Sequence, residues 1–172
     1  MNQVKWKDKD GNIKYGTVQY MSRLSKEERP PKGIIRVNDA VMPFYHEVPE
    51  KDLIEIPYKS GRYDHDKNKW VDQDEYHQFI SDQFEKAQEL SDSLGDEFKP
   101  GKMFNTPVGD GRAYYVVTKV NKKSVKVEWR GFCPDNWKDQ VLGLGGSFPR
   151  DTIETLVKRH DGLKKLFSGA RI

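Results

Sequence analysis

The chain has 172 residues, of which 33% are charged and 12% aromatic, with a formal net charge of +3 and a single cysteine, Cys133. It is too aromatic for a disordered chain, carries no apolar run long enough for a membrane helix, and holds no pair of cysteines for an internal disulfide, so a reducing cytoplasm is the expected setting. The charge is partitioned: residues 1–63 are net +3, residues 64–97 net −8 and residues 98–172 net +8.

The N-terminus has no signal-peptide core. Val4–Lys7 and Ile13–Tyr20 read as strands, and the Asp10-Gly11 pair between them is a strong hairpin signal. Gly16 inside the second strand predicts a bulge or a sharp bend. Residues 25–32 form a polar loop. Gly33–Val37, Val41–Val48 and Asp52–Ile56 predict three more strands, the last stopped by Pro57. Five short strands without a helix imply a strongly bent sheet or a small barrel.

Residues 58–71 allow two readings. Asp64, Asp66, Asn68, Asp72 and Glu75 fall at the oxygen-ligand positions of a calcium loop, with Val71 at the aliphatic position. Lys69 stands where that loop needs glycine, and Pro57 and Gly61 leave little room for an entering helix. The competing reading is a hairpin that pairs Tyr63 with Trp70-Val71. No resident metal or cofactor is expected.

Asp72 to Gly95 is the clearest helix. Tyr76, Phe79, Ile80, Phe84, Ala87, Leu90 and Leu94 recur every three or four residues, on one face. Asp72 and Glu75 read as a capping box, Val71 and Tyr76 as a hydrophobic staple, and Gly95 as the left-handed stop. The domain boundaries that follow are residues 1–57, 58–97 and 98–172.

In the last third, Ala113–Val120 and Ser124–Arg130 form the best-defined hairpin, with Val125, Val127 and Trp129 on the core face and Lys126, Glu128 and Arg130 opposite. Gly143-Leu144-Gly145-Gly146 follows an apolar pair, but it lacks the Lys-Ser/Thr ending and the βαβ setting of a phosphate loop; a glycine-bent strand explains it better. Gly146-Ser147-Phe148-Pro149, followed by Ile153 and Leu156, resembles the end of an SH3 domain, where a Pro-containing 3₁₀ turn leads into the last strand. Val48-Pro49 with Leu53 and Ile56 resembles the same ending. A Lys/Arg-Asp-x-Ile-Glu string, Lys51–Glu55 and Arg150–Glu154, suggests an internal duplication. The resemblance implies a mainly β, α+β fold: two SH3-like small barrels, similar to KOW- and Tudor-like modules, joined by one amphipathic helix. It departs from peptide-binding SH3 domains in lacking their acidic, Tyr-rich first motif. Residues 155–160 and 162–167 predict a helical tail.

The chemistry is sparse. Cys133 has no local signature joining it to His46, His77 or His160, and the four histidines have no metal-ligand spacing, so a non-catalytic binding module is expected. Arg112, Lys119, Lys122, Lys123, Lys126, Arg130, Lys138 and Arg150, with Tyr114, Phe132 and Trp137, form a candidate nucleic-acid surface: cations track phosphates and rings stack on bases. The alternative is a protein-interaction adaptor that uses barrel edges, exposed aromatics or the acidic helix. A third is self-association through the apolar tail.

Overall fold

A computed structural model describes residues 2–42, 44–108, 111–130 and 142–169; for residues 107, 108, 111, 112 and 165–169 it describes the backbone alone. Among the described residues the fold is α+β, mostly sheet, with two α-helices. The chain divides into two compact units, Met1–Asp82 and Gln83–Ile172.

In the first unit, β1 (Gln3–Lys7), β2 (Ile13–Val18), β3 (Ile34–Asp39), β4 (Tyr45–Pro49) and β5 (Ile54–Glu55) form one sheet in the order β4-β3-β2-β1-β5. The sheet is open rather than a closed barrel. The β1–β2 turn forms because Oδ1 of Asp8 accepts the N–H groups of Asp10 and Asn12, each at 2.9 Å, and Gly11 supplies the left-handed φ of 82°. Alternation turns Val4 and Trp6 inward, where they meet Val37, Val48 and Leu53 in one buried cluster. A 3₁₀ turn, Glu50–Asp52, connects β4 to the two-residue β5.

Gly16 does not mark a bulge. Register runs evenly through it, Gln3 opposite Thr17 and Lys5 opposite Tyr15. The glycine is needed because β3 lies against it: an added Cβ would stand 2.3 Å from the Asn38 carbonyl oxygen. The fourth strand starts later than its composition suggests, since Oδ1 of Asp39 binds the N–H groups of Val41 and Met42 and turns them out of the sheet.

Strands β6 (Arg62–Asp64) and β7 (Lys69–Val71) make a small hairpin with Tyr63 opposite Trp70. Helix α1 (Glu75–Ser93) follows. The cap is Asp74, not Asp72: Oδ1 of Asp74 accepts the His77 N–H at 2.8 Å. Asp72 sits at φ 56° and pairs with Arg62. Tyr76, Phe79 and Ile80 pack with Ala40, Ile56 and Tyr15, and Phe79 stacks on Tyr15 at 4.3 Å. Gly95, at φ 57°, ends the helix as its position predicts.

The second unit holds β8 (Met103–Val108), β9 (Gly111–Val120), β10 (Ser124–Arg130) and β11 (Gly145–Pro149) in the order β11-β10-β9-β8, again an open sheet. The predicted final strand is absent. Residues 150–169 instead form α2 (Arg150–Gly169), one helix running through both predicted tail segments. Ile153 and Val157 are buried against Phe104, Tyr115, Val117, Val125 and Val127, with Leu156 packed beside them. The two Asp-x-Ile-Glu strings therefore fold differently: the first spans a 3₁₀ turn and β5, the second opens α2. A second SH3-like ending is thus corrected to a four-stranded sheet with a helix on its core face.

Candidate nucleic-acid interface

The β9–β10 hairpin is built by its core face. Val117, Val125 and Val127 are buried, so the intervening Lys126 is turned to solvent. Register decides what lies beside it. Lys126 is opposite Lys119, but Val127 is opposite Val117, so Thr118 is an extra residue between the two pairings. This β-bulge lets Val117 and Val120 both face the core while Thr118 and Lys119 are both exposed. The Thr118 hydroxyl donates to the Lys126 carbonyl at 3.3 Å.

The turn carries Lys122 and Lys123, both exposed. It is braced from two sides. Asn121 N–H donates to the Ser124 carbonyl at 2.8 Å. From the start of α2, the Arg150 N–H donates to the Lys123 carbonyl at 3.0 Å, and Arg150 Nη1 donates to the Asn121 carbonyl at 3.3 Å. The lysines at the tip thus stand on a fixed backbone. Among the described residues, the ammonium groups of Lys119, Lys122, Lys123 and Lys126 have no ion-pair partner.

The other expected contacts are placed differently. Arg130 lies opposite Tyr114 and its guanidinium is held by Glu128 at 2.9 Å. Arg150 donates through Nε to Glu154 at 2.6 Å, one helical turn on, and lies 5.7 Å over the Phe98 ring. Tyr114 is half-buried, edge-on to Phe84 at 5.0 Å. Arg112 is opposite Pro107 in β9. Phe132, Trp137 and Lys138 lie outside the described residues, as does Cys133. Among the described residues, the expected cations without an ion pair are the four lysines of the hairpin. Trp129, which continues the Val125/Val127 face, packs against the core.

Ser147 was missed by the sequence reading. It sits on β11 directly opposite Lys126 and is exposed. Cross-strand partners share a face, so Lys119, Lys126 and Ser147 form one row across three strands. Gly145 stands two residues before Ser147 in β11; its φ is 107°, and a Cβ there would stand 2.3 Å from the Val127 carbonyl oxygen. Close strand packing thus requires glycine at 145, while Gly143 and Gly146 supply positive φ in more open surroundings.

The proposed calcium ligands do not converge. Asp64 Oδ1 accepts the N–H groups of Asp66 and Lys67 in the hairpin turn. Tyr63 donates its hydroxyl to Asn68, Asp72 pairs with Arg62, and Glu75 binds Lys5 at 2.7 Å and the Tyr15 hydroxyl at 2.7 Å. Burial and the Glu75 carboxylate push the Tyr15 hydroxyl up to about 12. Among the described residues, no group of three or more His, Cys, Asp or Glu is arranged to hold a metal ion.

The histidines serve local structure. His46 Nε2 meets Asp39 at 2.8 Å, and His77 Nδ1 meets Asp74 at 2.8 Å. Burial pushes the Asp74 carboxyl up, but hydrogen bonds from the His77 and Lys59 N–H groups outweigh it and hold the carboxyl low. His160 on α2 is 6% exposed, and its Nε2 is buried without a hydrogen-bond partner among the described residues. Near it, the Lys102 ammonium is held by the Gly95 carbonyl and Asp161, each at 2.9 Å, and Lys164 pairs with Asp92. Beside this network lies a cleft of about 470 Å³ lined in part by Phe98, Lys102, Val157, Asp161 and Gly162. No helix is long and apolar enough to cross a membrane among the described residues.

No protein-family model, no curated protein and no solved structure matches the chain.

Proposed function

We propose that this chain is a non-catalytic binding module that takes up nucleic acid on the β9–β10 hairpin of its second unit. The observation that carries this reading is the register of Lys119 against Lys126, with Lys122 and Lys123 at the adjoining turn and no carboxylate paired with any of them among the described residues. Like charges directly opposite on a sheet are unfavourable. A phosphate backbone relieves that repulsion and, by releasing its own counterions, gains affinity for it. The SH3-like likeness is kept for the first unit alone, where Pro49, the 3₁₀ turn and buried Leu53 precede the last strand of an open sheet.

Fluorescence anisotropy with labelled single- and double-stranded oligonucleotides tests the reading. With four phosphate contacts the log–log salt slope is about −3 for single strands, so affinity falls by roughly two orders of magnitude between about 50 and about 300 mM salt. Lys122→Glu combined with Lys126→Glu abolishes binding. Absence of binding at the lower salt, or unaltered binding in the double variant, overturns it.

A protein partner is the second reading. It rests on the exposed aromatics of the first unit, Phe44 at 50%, Trp70 at 57% and Tyr58 at 74% exposure. A partner anchored by such rings loses little affinity as salt rises, which separates the two.

A further inference from the structure

We infer that the lysine surface holds the sugar–phosphate backbone without selecting base sequence, and that it extends from the hairpin across β10 onto β11, with Ser147 as a contact. This rests on the nucleic-acid reading of the hairpin and deepens it.

Two observations carry the lack of base selection. Base edges in a groove are read chiefly by planar or bidentate groups, above all the arginine fork on guanine. Of the arginines near the hairpin whose side chains are described, Arg130 is committed to Glu128, and Arg150 to Glu154 and the Asn121 carbonyl. What remains unpaired is lysine, a compact point charge on a flexible stem, suited to phosphate oxygens rather than to a base edge. Among its described side chains the hairpin therefore offers charge and reach but no free fork.

The extension follows from register. Lys119, Lys126 and Ser147 stand in one row, on strands about 4.8 Å apart. Ser147 adds a hydroxyl donor to two ammonium groups at the end of that row, and hydroxyls of this kind commonly contact phosphates. Beyond it, Gly146 is exposed and has no side chain, and the edge of β11 away from β10 has no strand partner among the described residues. The row thus ends near an edge of backbone that no described strand pairs, where another chain can approach closely.

The experiment measures Kd by anisotropy for oligonucleotides of one length in homopolymer and mixed sequences, for the wild-type chain and for Ser147→Glu, Ser147→Ala and the Lys122→Glu/Lys126→Glu double variant. The wild-type chain is expected to bind all sequences within about threefold, and Ser147→Glu to lose about tenfold by placing a charge beside Lys126 within one Debye length. Ser147→Ala is expected to lose about threefold, the loss of one solvent-exposed hydroxyl contact to a phosphate oxygen. Thermal melting checks that the Ser147 variants are folded. A wild-type preference above about thirtyfold for one sequence overturns the absence of base selection. Ser147→Glu binding as well as wild type, while the lysine double variant does not bind, overturns the extension and leaves the hairpin reading intact. No wild-type binding, or binding retained by the double variant, removes the hairpin reading itself.

Discussion

Replacing Lys126 by Glu is expected to make the protein more stable. In the native register Lys126 faces Lys119 across β9 and β10, both exposed. The nearest carboxylate on the same face of β10, Glu128, is held by Arg130 at 2.9 Å. An opposed like-charge pair on a sheet surface costs on the order of 0.2–1 kcal/mol, and an opposite-charge pair contributes a similar amount. Reversing one sign therefore gains about 0.5–1.5 kcal/mol. For a unit of about 90 residues that raises its melting temperature by roughly 2–12 °C. Lys126→Gln removes the repulsion without adding attraction and should give about half the gain. The assay is thermal melting followed by circular dichroism at low salt and again near 1 M salt, where the Debye length falls to about 3 Å and the gain should largely vanish. A Lys126→Glu protein that melts at or below wild type at low salt, or whose gain survives high salt, refutes the argued pairing.

Three further outcomes are expected. Burial holds the His160 imidazole below its ordinary 6.5, with Lys164 and Lys102 adding to the effect and Asp161 and Asp92 opposing it. The neutral ring is thus favoured in the folded state: its contribution is complete above about pH 6.5 and is lost as pH falls toward the depressed native value. Denaturant melts from pH 7.5 to 5 should show that decline, and His160→Leu should flatten it. Gly16→Ala should destabilise the first unit by about 1–3 kcal/mol, because its Cβ meets the Asn38 carbonyl at 2.3 Å and Val37 Cγ1 at 2.6 Å; chemical denaturation reads this as a lower midpoint. Gly162→Ala should stabilise α2 by about 1 kcal/mol, since Gly162 lies inside the helix and its Cβ would meet nothing within 4 Å; a melting temperature unchanged or lowered would contradict it.

Much of the first unit was legible because its signals are local. Asp10-Gly11 turns the first hairpin, Tyr63 and Trp70 pair across an Asp/Asn turn, and the three-and-four spacing of Tyr76, Phe79, Ile80 and Phe84 is an undisturbed helical face. The helix start was displaced because Asp72 and Asp74 are both credible caps, and only the positive φ of Asp72 tells them apart. The second unit hides its edges. Asn105 and Pro107 give β8 no strand signal, yet it is an edge strand, where proline is tolerated. Thr152 and Ile153 after Pro149 imitate a strand, and Gly162 interrupts what is one continuous α2. Reading that stretch as a helix would have exposed the Arg150–Glu154 pair at i,i+4 and withdrawn Arg150 from the candidate contacts. The lysines themselves were visible; their pairing was not, because it depends on the bulge at Thr118, which no apolar period encodes.

The basic excess of the second unit is unevenly distributed, and that bears on whether the hairpin lysines are a surface by design or by default. Lys99, Lys102, Arg130, Arg150 and Lys164 each meet a carboxylate: Glu97, Asp161, Glu128, Glu154 and Asp92 respectively. These pairs lie on α1, on α2, on the connection that leads to β8 and on β10, and where they are exposed each contributes little to stability. The hairpin lysines have no such partners among the described residues, and two of them face one another. A lone exposed lysine costs almost nothing and requires no explanation. An opposed pair is different, since a single substitution removes the repulsion. If Lys126→Glu raises the melting temperature and at the same time abolishes oligonucleotide binding, the pair is a stability cost retained for an anionic ligand. If it raises the melting temperature and no binding is lost, the pair is a neutral accident of the register, and the exposed rings of the first unit become the better guide to what this chain holds.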